Sequence, residues 1–278
     1  MKSAFAYGIL KRLVRVEQSE VVAMLWSFAY FFCLLCGYYI LRPVRDEMGI
    51  QAGVDQLQWL FTGTFAAMLA VVPVFGWLSS RFPRRQFLPA TYLFFAANLV
   101  MFFILFRSGV MPAEVASAFF IWLGVFNLFV VSVFWSFMAD LFTNAQARRL
   151  YGFIAAGGSI GAIAGPLITT RLAPVVGPTG LLPLSACFLL AAVLCILRLS
   201  NWARRDKPAT EPAGAMIRQP MGGSFVGGIT LLMRSDYLLG IGLYVSCSQC
   251  SRPSSISSRR SLFHRRYPTQ ANAQHCLP

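Results

Sequence analysis

Val21-Val-Ala-Met-Leu-Trp-Ser-Phe-Ala-Tyr30-Phe-Phe-Cys33-Leu-Leu-Cys36-Gly37-Tyr38-Tyr39-Ile40-Leu41 is an uncharged run that ends in Arg42-Pro43-Val44-Arg45-Asp46-Glu47-Met48-Gly49. Twenty-one helical residues rise about 31 Å, enough to cross a hydrocarbon core. It is too long for the apolar region of a cleavable signal peptide. Tyr38, Arg42 and Arg45 share one helical face at i, i+4 and i+7, and Asp46 stands four residues after Arg42 as its possible partner. A charge on a membrane helix is costly, so by default it faces a wet or protein-lined cavity. Those four residues are candidate contacts for an anionic solute. The competing reading makes the arginines interfacial anchors beyond a helix that Pro43 ends.

Five more apolar runs follow, at about Leu57–Leu78, Phe87–Phe106, Ala113–Met138, Tyr151–Leu172 and Gly180–Leu199. Alternating strand patterning is absent, so the expected class is an all-α membrane protein with a six-helix bundle over residues 19–199. Composition agrees: of 278 residues 57% are hydrophobic and 12% charged, against roughly a quarter charged in soluble domains. The net charge of +14 does not point to nucleic acid, because the basic residues are scattered through short loops. With the N-terminus inside, inner segments hold thirteen Lys and Arg and outer segments hold four. This places the N-terminus in the cytoplasm, and the expected location is a bacterial inner membrane.

Residues 1–18 form an amphipathic basic segment, expected on the membrane surface. Residues 200–236 read as a polar cytoplasmic linker. A seventh helix begins at 237–245 and stops after a rise of about 14 Å. Residues 246–278 change in character, with eight Ser, five Arg and both histidines but no acid. They are expected to be a disordered basic tail read out of frame, leaving a truncated half that lacks a C-terminal partner half. Cys247, Cys250, His264, His275 and Cys276 fit no common zinc spacing. No metal or other cofactor is expected, and Cys33-x-x-Cys36 reads as buried thiols.

The loop Gly76-Trp-Leu78-Ser-Ser80-Arg81-Phe-Pro83-Arg84-Arg85-Gln-Phe-Leu88 resembles the loop signature of the major facilitator superfamily. Ser80 stands at that family's aspartate and Pro83 at its second glycine. The glycine is expected to let the helix end pack closely, and the arginines to hold the loop inside. Gly157, Gly161 and Gly165 make a strip that permits close approach by a neighbour, and Gly161-x-x-x-Gly165-Pro166 is similar to the glycine-proline motif of facilitator antiporters. Tyr39-Ile-Leu41-Arg42-Pro-Val-Arg45-Asp46 and Phe134-Trp135-Ser-Phe137 resemble segments of the bacterial and plastid ATP:ADP antiporters, in which Arg45 takes the place of a transport lysine. The fourth-helix carboxylate of that branch is missing.

These resemblances imply the N-terminal half of a 3+3 inverted-repeat transporter, working by alternating access on a small anionic solute, with ATP/ADP the candidate. Arg42 and Arg45 would contact the anion, with Tyr38, Asn127 and Trp135 along the cavity. The glycine strip would be the close-packed pivot. Gly76, Arg81, Arg84 and Arg85 would form a cytoplasmic gate, together with Asp140 and either Arg148 or Arg149. The alternative class is a non-transporting membrane scaffold or accessory subunit. An enzyme is not expected: Gly157-Gly-Ser159-Ile-Gly161 matches the hydrolase elbow only formally, and no phosphate-binding loop is present.

Overall fold

The computed structural model describes residues 20–51, 57–81, 84–109, 112–206 and 240. The chain divides into two units, Met1–Gly222 and Gly223–Pro278. Described residues of the first form α1 (Val21–Gln51), α2 (Leu57–Arg81), α3 (Arg84–Ser108), α4 (Pro112–Leu141), α5 (Asn144–Val176) and α6 (Leu181–Asp206), with no strand among them. The segment 1–18, the linker beyond Asp206, the seventh helix apart from Gly240, and the tail with its cysteines and histidines lie outside the described residues.

Every helix except α2 is long and apolar enough to span a bilayer. In α2 the apolar stretch is Gln58–Val74, about 26 Å long, within a helix of 25 residues. The helices run past the apolar cores read from sequence. Pro43 does not end α1, which continues to Gln51, because Val44 and Met48 still bury themselves against the bundle. Burial of that turn offsets the one backbone hydrogen bond that proline removes. At the other end of the bundle α6 passes Leu199 and takes residues 200–206 out of the expected linker, with Ser200 and Ala203 buried.

Asn144–Arg149, read from sequence as loop, forms the first turns of α5. Thr143 is its N-cap and pairs reciprocally with Gln146 in a capping box, which satisfies two backbone donors that would otherwise be orphaned.

α1 is the hub, packed along α4, α5 and α6, while α2 packs mainly on α4 and α3 on α6 and α4. The neighbour relations exchange when α1–α3 is mapped onto α4–α6: α1 with α5 corresponds to α4 with α2. The two corresponding seams are not equally close. Along α5, a Cβ added at Gly157, Gly161 or Gly165 would meet the α1 carbonyl oxygens of Phe28, Phe32 and Cys36 at 2.6, 2.6 and 2.9 Å. Backbone therefore rests on backbone, as small residues allow between membrane helices.

Gly76 behaves differently. A Cβ there meets no described atom within 4 Å, so among the described residues no backbone approach like that of the α5 strip accompanies it.

Buried hydroxyls cross-link the seams. Ser185 Oγ donates to the Gly37 carbonyl at 2.9 Å, and Thr169 Oγ1 shares its proton between the Gly165 carbonyl of its own helix at 3.1 Å and that of Ile40 at 3.4 Å. Tyr30 Oη donates to Tyr92 Oη at 2.6 Å, and Tyr92 Oη to the Val130 carbonyl at 3.3 Å, a chain joining α1, α3 and α4. Tyr92→Phe removes the acceptor of a fully buried phenol and is expected to cost about 1–2 kcal/mol. Thermal unfolding in detergent measures this, and an unchanged midpoint contradicts it.

Candidate functional site

The site residues read from sequence lie along the α1–α4 seam, where aromatic pairs set an antiparallel register. As α1 is followed back from Arg45 through Tyr38 to Phe31, α4 advances from Phe120 through Phe126 to Phe134. The guanidinium of Arg45 lies over the Phe120 ring at 5.0 Å. The Tyr38 and Phe126 rings are 6.5 Å apart, and Phe31 stacks on Phe134 at 4.2 Å.

Arg45 is turned inward. Its side chain is 19% exposed and binds Asp46 Oδ1 through Nη2 at 2.8 Å and Nε at 3.1 Å. Asp46 thus partners its neighbour in sequence, not Arg42 as the i, i+4 spacing proposed. Arg42 is exposed, with its guanidinium over the ring of Tyr39 at 5.7 Å. The two arginines therefore diverge: one enters the seam and the other stays at its rim. Both, with Asp46, lie within electrostatic reach of buried Tyr38.

Asn127 is half-buried beside Phe126. Trp135 is not brought to the arginines. It packs against Phe31 and Tyr151 at 5.5 and 5.4 Å, about 22 Å further along α4 than Phe120. Phe120, the aromatic floor beneath Arg45, carries no signal in the sequence, since it is one apolar residue in a run of them.

At the opposite end of the seam Arg149 Nη2 reaches Glu20 Oε1 at 3.1 Å, and Gln146 Nε2 donates to the same oxygen at 2.8 Å. The Glu20 side chain is 4% exposed, so this cluster ties the start of α1 to the start of α5. The sequence reading did not single out Glu20: Thr143-x-x-Gln146 announces the helix start that carries Gln146 and Arg149, but their partner comes from tertiary packing. Asp140 is buried at the end of α4, and Arg148 is exposed. Arg81 is exposed, its guanidinium over Trp77 at 5.3 Å, and Arg84 and Arg85 open α3. Ser159, the formal hydrolase serine, sits in mid-helix and donates to the Ala155 carbonyl at 3.4 Å.

The family model described as Major Facilitator Superfamily matches residues 24–268, most of the chain. This protein belongs to the major facilitator superfamily. Neither a curated protein nor a solved structure matches it. As a member of the major facilitator superfamily it is a multi-pass integral membrane protein of the facilitator transporter type, and at its α1–α4 seam Arg45 turns inward over Phe120.

Proposed function

We propose that this facilitator moves a small anionic solute by alternating access, with Arg45 as its principal contact. The observation that supports this reading is the inward Arg45, held above Phe120 and neutralised by a largely exposed Asp46. An ion pair exposed to this degree is worth about 0–1 kcal/mol. An incoming anion can therefore displace the Asp46 carboxylate at little cost and take over a guanidinium that offers paired donors. Tyr38 and Asn127 would supply further hydrogen bonds down the seam, and Arg42 would draw the anion to its rim. Trp135 would line the passage deeper in. The bundle would sit in a bacterial inner membrane with the N-terminus in the cytoplasm, and a second helical half would complete the passage as the two rock about a midplane site. Nucleotide exchange of the ATP/ADP kind is the finer reading, supported by the likeness around Leu41–Asp46.

Equilibrium binding of labelled ADP and of inorganic phosphate to the full chain in lipid nanodiscs tests this. Arg45→Ala is expected to weaken binding of the recognised anion about 10–100-fold, the range for hydrogen bonds to a charged group. Asp46→Asn is expected to strengthen it up to about five-fold. If Arg45→Ala binds both anions as the unaltered chain does, the anion site is lost. Binding of phosphate but not ADP would retain the anion site and remove the nucleotide.

A further inference from the structure

The α4–α2 seam lacks the glycine strip that draws α5 onto α1, and a gap opens beside it. Val71 and Val74 of α2, Phe87 and Phe94 of α3, and Trp122 and Val125 of α4 line a crevice of about 790 Å³. That volume falls within the roughly 300–1,000 Å³ of ligand pockets. The walls are almost wholly apolar, and they belong to the apolar helices of the bundle. An empty apolar gap of this size forfeits the dispersion contacts of every wall atom, and the bilayer offers hydrocarbon chains to fill it.

One end of the crevice has different chemistry. Gln86 joins the lining there, directly after Arg84 and Arg85 in the first turn of α3, which contains no acidic residue. Arg81 closes α2 at the same turn. Carboxylates are the usual complement to the positive end of a helix dipole; here arginines occupy that position, so the turn concentrates positive charge. Exposed Trp77 lies beneath the Arg81 guanidinium, as tryptophan does at the headgroup level of a bilayer.

We propose that this crevice is a site for an anionic diacyl phospholipid, with one acyl chain between α2, α3 and α4 and the phosphate beside Arg81, at the basic start of α3. Clustered basic residues beside a membrane helix attract such lipids, each contributing about five-fold in association. The crevice adds what a surface cluster lacks, a groove that holds the chain. A zwitterionic phospholipid would fill the groove equally well but leave the turn uncompensated.

Quenching of Trp122 fluorescence tests the proposal, with the full chain in phosphatidylcholine vesicles containing a minor share of phospholipid brominated on its acyl chains. The Trp122 signal is the difference between the full chain and Trp122→Phe, both checked for helix content. Brominated phosphatidylglycerol is expected to quench Trp122 several-fold more than brominated phosphatidylcholine at equal mole fraction. Arg81→Gln, at an exposed position, is expected to lower that preference about five-fold. Ala90→Phe, which fills the crevice, is expected to reduce quenching by both lipids. Equal quenching by the two headgroups overturns the proposal, as does a phosphatidylglycerol preference that survives Arg81→Gln or quenching that survives Ala90→Phe. Displacement of the brominated lipid by soluble glycerol phosphate also overturns it, since the acyl chain would then contribute nothing.

Discussion

Gly161→Leu is expected to leave no folded protein. A Cβ at this position already falls 2.6 Å from the Phe32 carbonyl oxygen and 3.0 Å from the Cys36 amide nitrogen. Those atoms are α1 backbone, which cannot rotate aside as a long side chain would. Admitting even one carbon forces α5 off α1, and overpacking of that kind costs about 1–3 kcal/mol for a single methyl-sized intrusion. Leucine adds three more carbons along the most extensive helix contact in the bundle. Gly161→Ala should therefore give a folded but less stable protein, and Gly161→Leu an aggregated one. Size-exclusion profiles and unfolding midpoints in detergent make the comparison, with Gly76→Ala as the contrasting case. A Cβ at Gly76 meets no described atom within 4 Å, so its alanine variant should unfold close to the unaltered chain. If Gly161→Leu were monodisperse and fully helical, the backbone contact between α1 and α5 would be refuted.

The second large effect belongs to Arg149. The Glu20 side chain is almost completely shielded, while Arg149 keeps 31% of its side-chain surface exposed. Removing one member is therefore not equivalent to removing the other. Without Arg149 a shielded carboxylate loses a charged donor, whereas without Glu20 the guanidinium can turn towards water. Breaking a buried pair costs about 3–5 kcal/mol, and Arg149→Ala should fall at the low end because Gln146 still donates to Glu20. Glu20→Gln should cost about 1 kcal/mol, comparable to an ordinary hydrogen bond. Unfolding midpoints of both variants decide the matter. An equal loss in the two would show that the asymmetry of burial has no energetic weight.

The helices were legible because an apolar stretch long enough for a bilayer has few other readings. Their ends were less so. Pro43 looked like a terminus, but burial of Val44 and Met48 carries α1 past it. Ser200 and Ala203 do the same for α6. Spacing along one helix suggested an Arg42–Asp46 pair. It could not show that Phe120, on another helix, would draw Arg45 inward and turn Asp46 towards it. The partner of Arg149 was hidden for a different reason: Glu20 is 129 residues away, and only tertiary packing brings them together. Gly157, Gly161 and Gly165 announced close approach by their spacing, but nothing in the sequence named α1 as the partner.

Where two helices touch main chain to main chain, no layer of flexible side chains remains to absorb slippage. The α1–α5 pair therefore behaves as a single stiff beam, and its carbonyl-lined groove fixes the register as gear teeth would. Any exchange of inward and outward openings has to carry that beam along whole. Compliance belongs to the looser seam on the far side of the bundle, where α2 leans on α4.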